Sequence, residues 1–111
     1  MLIKSLSARK ILDSRKQPTI QVEINGQKAS APSGKSTGKY ETHPYKKNLN
    51  NSINRINELK IPFAINSFKD LKKIELIIIK KYKLKDAKQF GANALFALES
   101  AILKALAKEK N

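Results

Sequence analysis

Between residues 19 and 24 the chain alternates strictly: Thr19, Gln21 and Glu23 are polar, and the interleaved Ile20, Val22 and Ile24 are apolar. A period of two puts the three aliphatic side chains on one face of a strand, and that face has to be covered by another layer of the molecule. Asn25-Gly26 follows at once. This dipeptide adopts the left-handed backbone that a two-residue hairpin turn requires, so the pattern predicts a hairpin with its return strand over 27–31. Residues 3–11 supply a third strand, which ends at the polar turn 13–17 before Pro18.

Beyond residue 41 the apolar period lengthens to that of a helix. Leu49, Ile53, Ile56 and Leu59 predict a first helix that stops near Pro62, because proline cannot continue the hydrogen-bond ladder. Ser67 and Asp70 have the spacing of a capping box, and Phe68, Leu71, Ile74 and Ile78 mark the expected buried face of a second helix. Leu95, Leu98, Ile102 and Leu106 draw a third stripe through an alanine-rich segment running from Gly91 to about residue 108. Strands followed by helices predict an α+β fold: a three-stranded antiparallel meander, then three to four helices packed on one face. With 111 residues and 41% hydrophobic content, the expectation is one domain over 1–111 and no second one.

The chain has no cysteine, which rules out a disulfide framework or a thiolate metal site and suits a reducing compartment. Its longest apolar run, 74–79, is broken by Glu75 and falls far short of the roughly 20 residues of a bilayer span, and no signal peptide opens the chain. A soluble, cytoplasmic protein without membrane contact is expected. The formal net charge is +14. Such a charge draws nucleic acid or an acidic protein, yet Arg9, Arg15 and Arg55 are the only arginines among 23 basic residues, and the lysines run from Lys4 to Lys110 without clustering. A generally basic, solvated surface and a nucleic-acid face therefore both stand as readings.

The stretch Pro32-Ser33-Gly34-Lys35-Ser36-Thr37-Gly38 joins sheet to helix with two glycines and three hydroxyls in seven residues. Loops of this composition bend sharply and direct N–H and hydroxyl groups at an anion or a metal. Gly34-Lys35-Ser36 imitates the end of a P-loop, but Ala29 occupies the position of the leading glycine, and Gly38, His43 and Pro44 follow where a helix should begin. His43, the only histidine, has no partner acid, base or ligand at a defined spacing and reads as a surface or loop-anchoring residue. Tyr40, Tyr45 and Tyr82 are too scattered to form a base-stacking platform.

Taken in order, Ser7-Ala8-Arg9-Lys10-Ile11-Leu12-Asp13-Ser14-Arg15, Pro18-Thr19-Ile20-Gln21-Val22, Ala31-Pro32-Ser33-Gly34-Lys35-Ser36-Thr37-Gly38 with Glu41, and Phe90-Gly91-Ala92-Asn93-Ala94 resemble the N-terminal domain of enolase, phosphopyruvate hydratase. The blocks span nearly the whole chain, while 46–88 matches only in pattern. The resemblance implies three antiparallel strands followed by helices that cap a separate C-terminal barrel. In that family the cap contributes a lid loop, here Ser33, Gly34, Lys35, Ser36, Thr37 and Gly38. Ser36 aligns with the serine that coordinates a catalytic Mg²⁺ when the lid closes over the phosphorylated substrate, and Mg²⁺ does take hard oxygen ligands shared with phosphate. Arg9 resembles an arginine of the family's dimer interface. Three positions depart from the pattern: Lys35 replaces a small residue, Lys16-Gln17 replaces Gly-Asn, and Gln21 replaces a common Glu.

The resemblance also places the general acid and base and the other Mg²⁺ ligands in the barrel, and the nine acidic residues here do not substitute for them. No catalytic residue is therefore expected in this chain. One expectation is the cap half of a split enolase, which completes a Mg²⁺-dependent 2-phosphoglycerate dehydration site with a separate barrel subunit or associates with itself. The alternative is a non-catalytic basic protein that binds nucleic acid or an acidic protein.

Overall fold

The computed structural model describes residues 1–31 and 49–110. Strands β1 (Leu6–Leu12), β2 (Pro18–Ile24) and β3 (Gln27–Ser30) form an antiparallel meander in the order β1-β2-β3. Ala8 pairs with Val22 and Val22 with Ala29, so the small and branched side chains of all three strands share the covered face. Ile20, Val22 and Ile24 are fully buried there, as the alternation predicts. Strand β1 begins later than the expected residue 3 because residues 2–5 are held by a side chain instead of a ladder. Asn25 Oδ1 accepts the Lys4 and Ser5 N–H groups at 2.7 and 3.1 Å, and Asn25 Nδ2 donates to the Leu2 carbonyl at 2.8 Å. Asn25 and Gly26 both have positive φ, +49° and +88°, in the turn that their sequence announces.

Helix α3 (Ala92–Lys110) covers β2 and β3. Ala94, Ala97 and Ala101 are fully buried along it, and their small side chains let the helix axis approach the sheet closely while Leu98 and Ile102 fill the space between. Helix α1 (Leu49–Glu58) lies against β1. There Asn57 accepts the Ala8 N–H at 2.8 Å and donates to the Ala8 carbonyl at 3.1 Å. The side-chain amide thus stands in for a neighbouring strand at an edge that would otherwise invite pairing. Helix α1 ends before the expected stop near Pro62, because the Leu59 N–H turns to the Ile56 carbonyl at 3.0 Å and sends Leu59 into the core.

Helix α2 (Leu71–Tyr82) is preceded by a single 3-10 turn, Phe68–Asp70. The Asp70 carboxylate accepts the N–H groups of Asn66 and Ser67 at 2.8 and 3.3 Å, the side-chain limb expected of a capping box. Those bonds, led by that from Asn66 and aided by Lys73, hold its carboxyl below the usual carboxylate range. Phe68 corrects an expectation: it is 71% exposed, whereas Leu71, Ile74 and Ile78 are buried. The tighter 3-10 turn carries Phe68 off the face that the helical period starting at Leu71 defines. Tyr82 at the far end joins the helices, donating to the Arg55 carbonyl at 2.8 Å with its ring centroid 6.0 Å from that of Phe90. Burial, reinforced by Glu58, pushes the Tyr82 hydroxyl up to about 12, so it serves as a donor at any physiological pH. Among the described residues, no helix is long and apolar enough to cross a membrane.

Candidate functional site

The hydroxyl-rich segment follows Ala31 in the sequence, and Ala31 is buried and fastened twice. Its N–H donates to the Ile20 carbonyl at 3.3 Å, and its carbonyl accepts the buried Thr19 hydroxyl at 2.8 Å. Ala31 is thereby fixed beside the start of β2. The same end of the sheet carries the β1–β2 turn, which Asp13 organises: its Oδ1 accepts the N–H groups of Arg15 and Gln17, both at 2.8 Å. Lys16, where the enolase pattern has glycine, adopts φ +62°. Residues 32–48 lie outside the described residues, and with them Ser33, Gly34, Lys35, Ser36, Thr37 and Gly38, together with Tyr40, His43 and Tyr45. Among the described residues, no group of three or more His, Asp or Glu side chains converges in a way that would hold a metal ion.

Arg9 lies on the polar, uncovered face of the sheet opposite Gln21, and its Nε donates to Gln21 Oε1 at 2.9 Å. With a glutamate at 21 the same geometry would be a charge-assisted pair; with glutamine it is a neutral acceptor, and the guanidinium keeps its full charge for another partner. Ion pairs are sparse in general. Among the described residues they join the N-terminal ammonium to Glu109 at 3.7 Å and Lys73 to Asp70 at 3.3 Å. The lysines of the described helices and strands are therefore largely unneutralised.

Glu75 and Glu99 form a pair that local sequence patterns do not announce. Glu75 on α2 and Glu99 on α3 bring their carboxyls together, and Glu99 Oε2 is buried without a hydrogen-bond partner. Burial first, then the hydrogen bond and like charge of Glu75, push the Glu99 carboxyl far above the usual carboxylate range. The available signal was faint: Glu75 interrupts the apolar stretch 74–79 and Glu99 falls inside the alanine-rich third stripe, in a chain whose charged residues are mostly lysine.

The blocks that carried the resemblance have structural reasons. Gly91 has φ +112°, a conformation open to glycine, and its carbonyl accepts the Leu95 N–H at 3.0 Å in the first turn of α3. Asn93 and Ala94 just after it are buried. Asp13 closes the first turn, and Ala31 anchors the segment that leads to the second block. The sequence profile of the family described as "Enolase, N-terminal domain" matches residues 3–111. Meander, helices and profile agree, and the chain belongs to the enolase N-terminal domain family.

Proposed function

We propose that this domain is an enolase cap that completes a phosphopyruvate hydratase site together with an enolase-type barrel. The observation that carries the reading is the family match over 3–111, with the Ser33-Gly34-Lys35-Ser36-Thr37-Gly38 sequence following an anchored Ala31. In this reading Ser36 would offer an oxygen to a Mg²⁺ held mainly by the barrel. Bound there, the metal would supply positive charge to the enolate-like form of 2-phosphoglycerate. The cap's own contribution is to position that loop and to shield the reacting carbon from water. A cytoplasmic setting fits a glycolytic partner and a chain without cysteine.

Mixing the 111-residue chain with separately produced enolase barrels and following the dehydration of 2-phosphoglycerate tests the proposal. Activity above that of the barrel alone is expected, and Ser36→Ala should lower that gain by roughly a hundredfold, the scale of a lost metal-site contact. A mixture no more active than the barrel at any ratio rejects this reading. In that case the second reading gains: a basic protein for nucleic acid or an acidic partner, favoured by +14 charge with few ion pairs. Its sign would be RNA or DNA binding whose affinity falls steeply with salt.

A further inference from the structure

The 3-10 turn at Phe68–Asp70 and the helices α2 and α3 enclose a half-open cavity of about 600 Å³, lined mainly by Phe68, Leu71, Phe96 and Leu103 with Glu75 and Glu99. Phe68 and Phe96 are 71% and 51% exposed there, an apolar surface that folding alone leaves uncovered. The two carboxyls are the acidic feature of this largely apolar hollow, whose other polar lining is Lys69, Lys72 and Ser100. On a chain of +14, cations of its own would be expected to neutralise them. Lys69 and Lys72 line the cavity, yet among the described residues neither glutamate is in an ion pair.

We propose that this cavity is a binding site for an amphipathic organic cation, a small molecule with an apolar or aromatic body and one protonated amine. The volume suits a ligand of that size, and the convergence of a few polar groups in an apolar pocket is the usual form of such a site. The rings of Phe68 and Phe96 at the lining suit an apolar or aromatic body, and an ammonium beside an aromatic ring is favoured. An ammonium brings three donors to the carboxyls of Glu75 and Glu99 that line the cavity. The pair relieves its like-charge repulsion by retaining a proton, with Glu99 pushed up to about 8 by burial and by Glu75. An arriving ammonium takes over that role, and the proton leaves to the buffer. An anionic ligand of the same body would meet the negative pair and is disfavoured despite Lys69 and Lys72 at the lining.

The test uses the full chain with three probes that share one body: 2-phenylethylamine, 2-phenylethanol and 3-phenylpropionate. Calorimetry at pH 7 in two buffers of different ionisation enthalpy reads affinity and proton release, and amide shifts of Phe68, Phe96 and Glu99 locate the probe. The amine should bind at least about tenfold tighter than the alcohol or the acid, with release of a proton. Glu99→Gln, which is nearly isosteric, should remove that advantage while leaving the alcohol's affinity unchanged; Glu75→Gln is the second variant should the first not fold. Phe96→Ala, at an exposed position, should weaken the amine and the alcohol together. Equal affinity for amine and alcohol, tighter binding of the acid, or an amine advantage that survives both glutamate variants overturns the proposal.

Discussion

Lys16 holds φ +62° because the β1–β2 turn requires it: its N–H donates to the Asp13 carbonyl at 2.9 Å, and Asp13 in turn fixes the amides on either side. A β-carbon in this region of backbone space is unfavourable, and lysine has no short polar side chain to offset it. Lys16→Gly should therefore stabilise the domain by about 0.5–1 kcal/mol, after allowing for the larger entropy of glycine in the unfolded chain. A shift of the urea midpoint to higher concentration at unchanged slope reads the gain; an unchanged or lower midpoint would show that the turn bears no strain at Lys16. Asn25 is the internal contrast. It also has positive φ, but asparagine tolerates that region, and its amide holds residues 2–5 through three hydrogen bonds. No gain is expected there from glycine. Two residues with the same backbone geometry thus play opposite parts in the stability of the sheet.

Between elements, the contact with the clearest pH signature is that of Glu75 on α2 with Glu99 on α3. The Glu99 carboxyl rises from 4.5 to about 8 in the folded chain, so between those values the native state keeps a proton that the unfolded state has released. Stability from this group is therefore full below about 4.5, falls as pH rises, and is lost above about 8. Glu99→Gln removes the dependence. Its stability relative to the parent chain should increase from pH 4.5 to pH 8, reaching roughly 1 kcal/mol once solvent screening of a half-exposed side chain is allowed for. Parallel denaturation curves for the two chains across that range check it, and a constant difference would mean that neither burial nor Glu75 raises the Glu99 carboxyl in the folded chain. The elements themselves were legible in the sequence, because period-two alternation with Asn25-Gly26 and the Leu95–Leu106 stripe are local patterns. Phe68 was misplaced, since a 3-10 turn and the first turn of an α-helix share nearly the same spacing of residues. The pairing of the glutamates was not legible, whatever faint signal each gave alone: its members stand 24 residues apart on two helices, and only packing brings them together. For the loop around Ser36 the chemistry came from the order of residues and from family resemblance.

Across the whole molecule, net charge and ion-pair content are at odds. A formal charge of +14 on a domain with a radius of gyration of 13.3 Å places like charges within one or two Debye lengths of each other at moderate salt. The described ion pairs, at 3.7 and 3.3 Å, are partly exposed and offset little of that repulsion. Unfolding relieves it by spreading the lysines apart. Added salt should therefore stabilise the fold by screening repulsion, opposite to the response of a domain held by surface ion pairs. Raising sodium chloride from about 0.02 to about 0.3 M, a range in which screening outweighs general salting-out, should raise Tm by several degrees, with most of the rise at the low end where the Debye length changes fastest. A Tm that falls or stays level would show that the lysines are already compensated within the fold. The same measurement made with an acidic partner present is informative in sign: a partner that neutralises the lysines raises Tm at low salt and leaves less for salt to add, so the salt response itself reports how much of the positive surface has been covered.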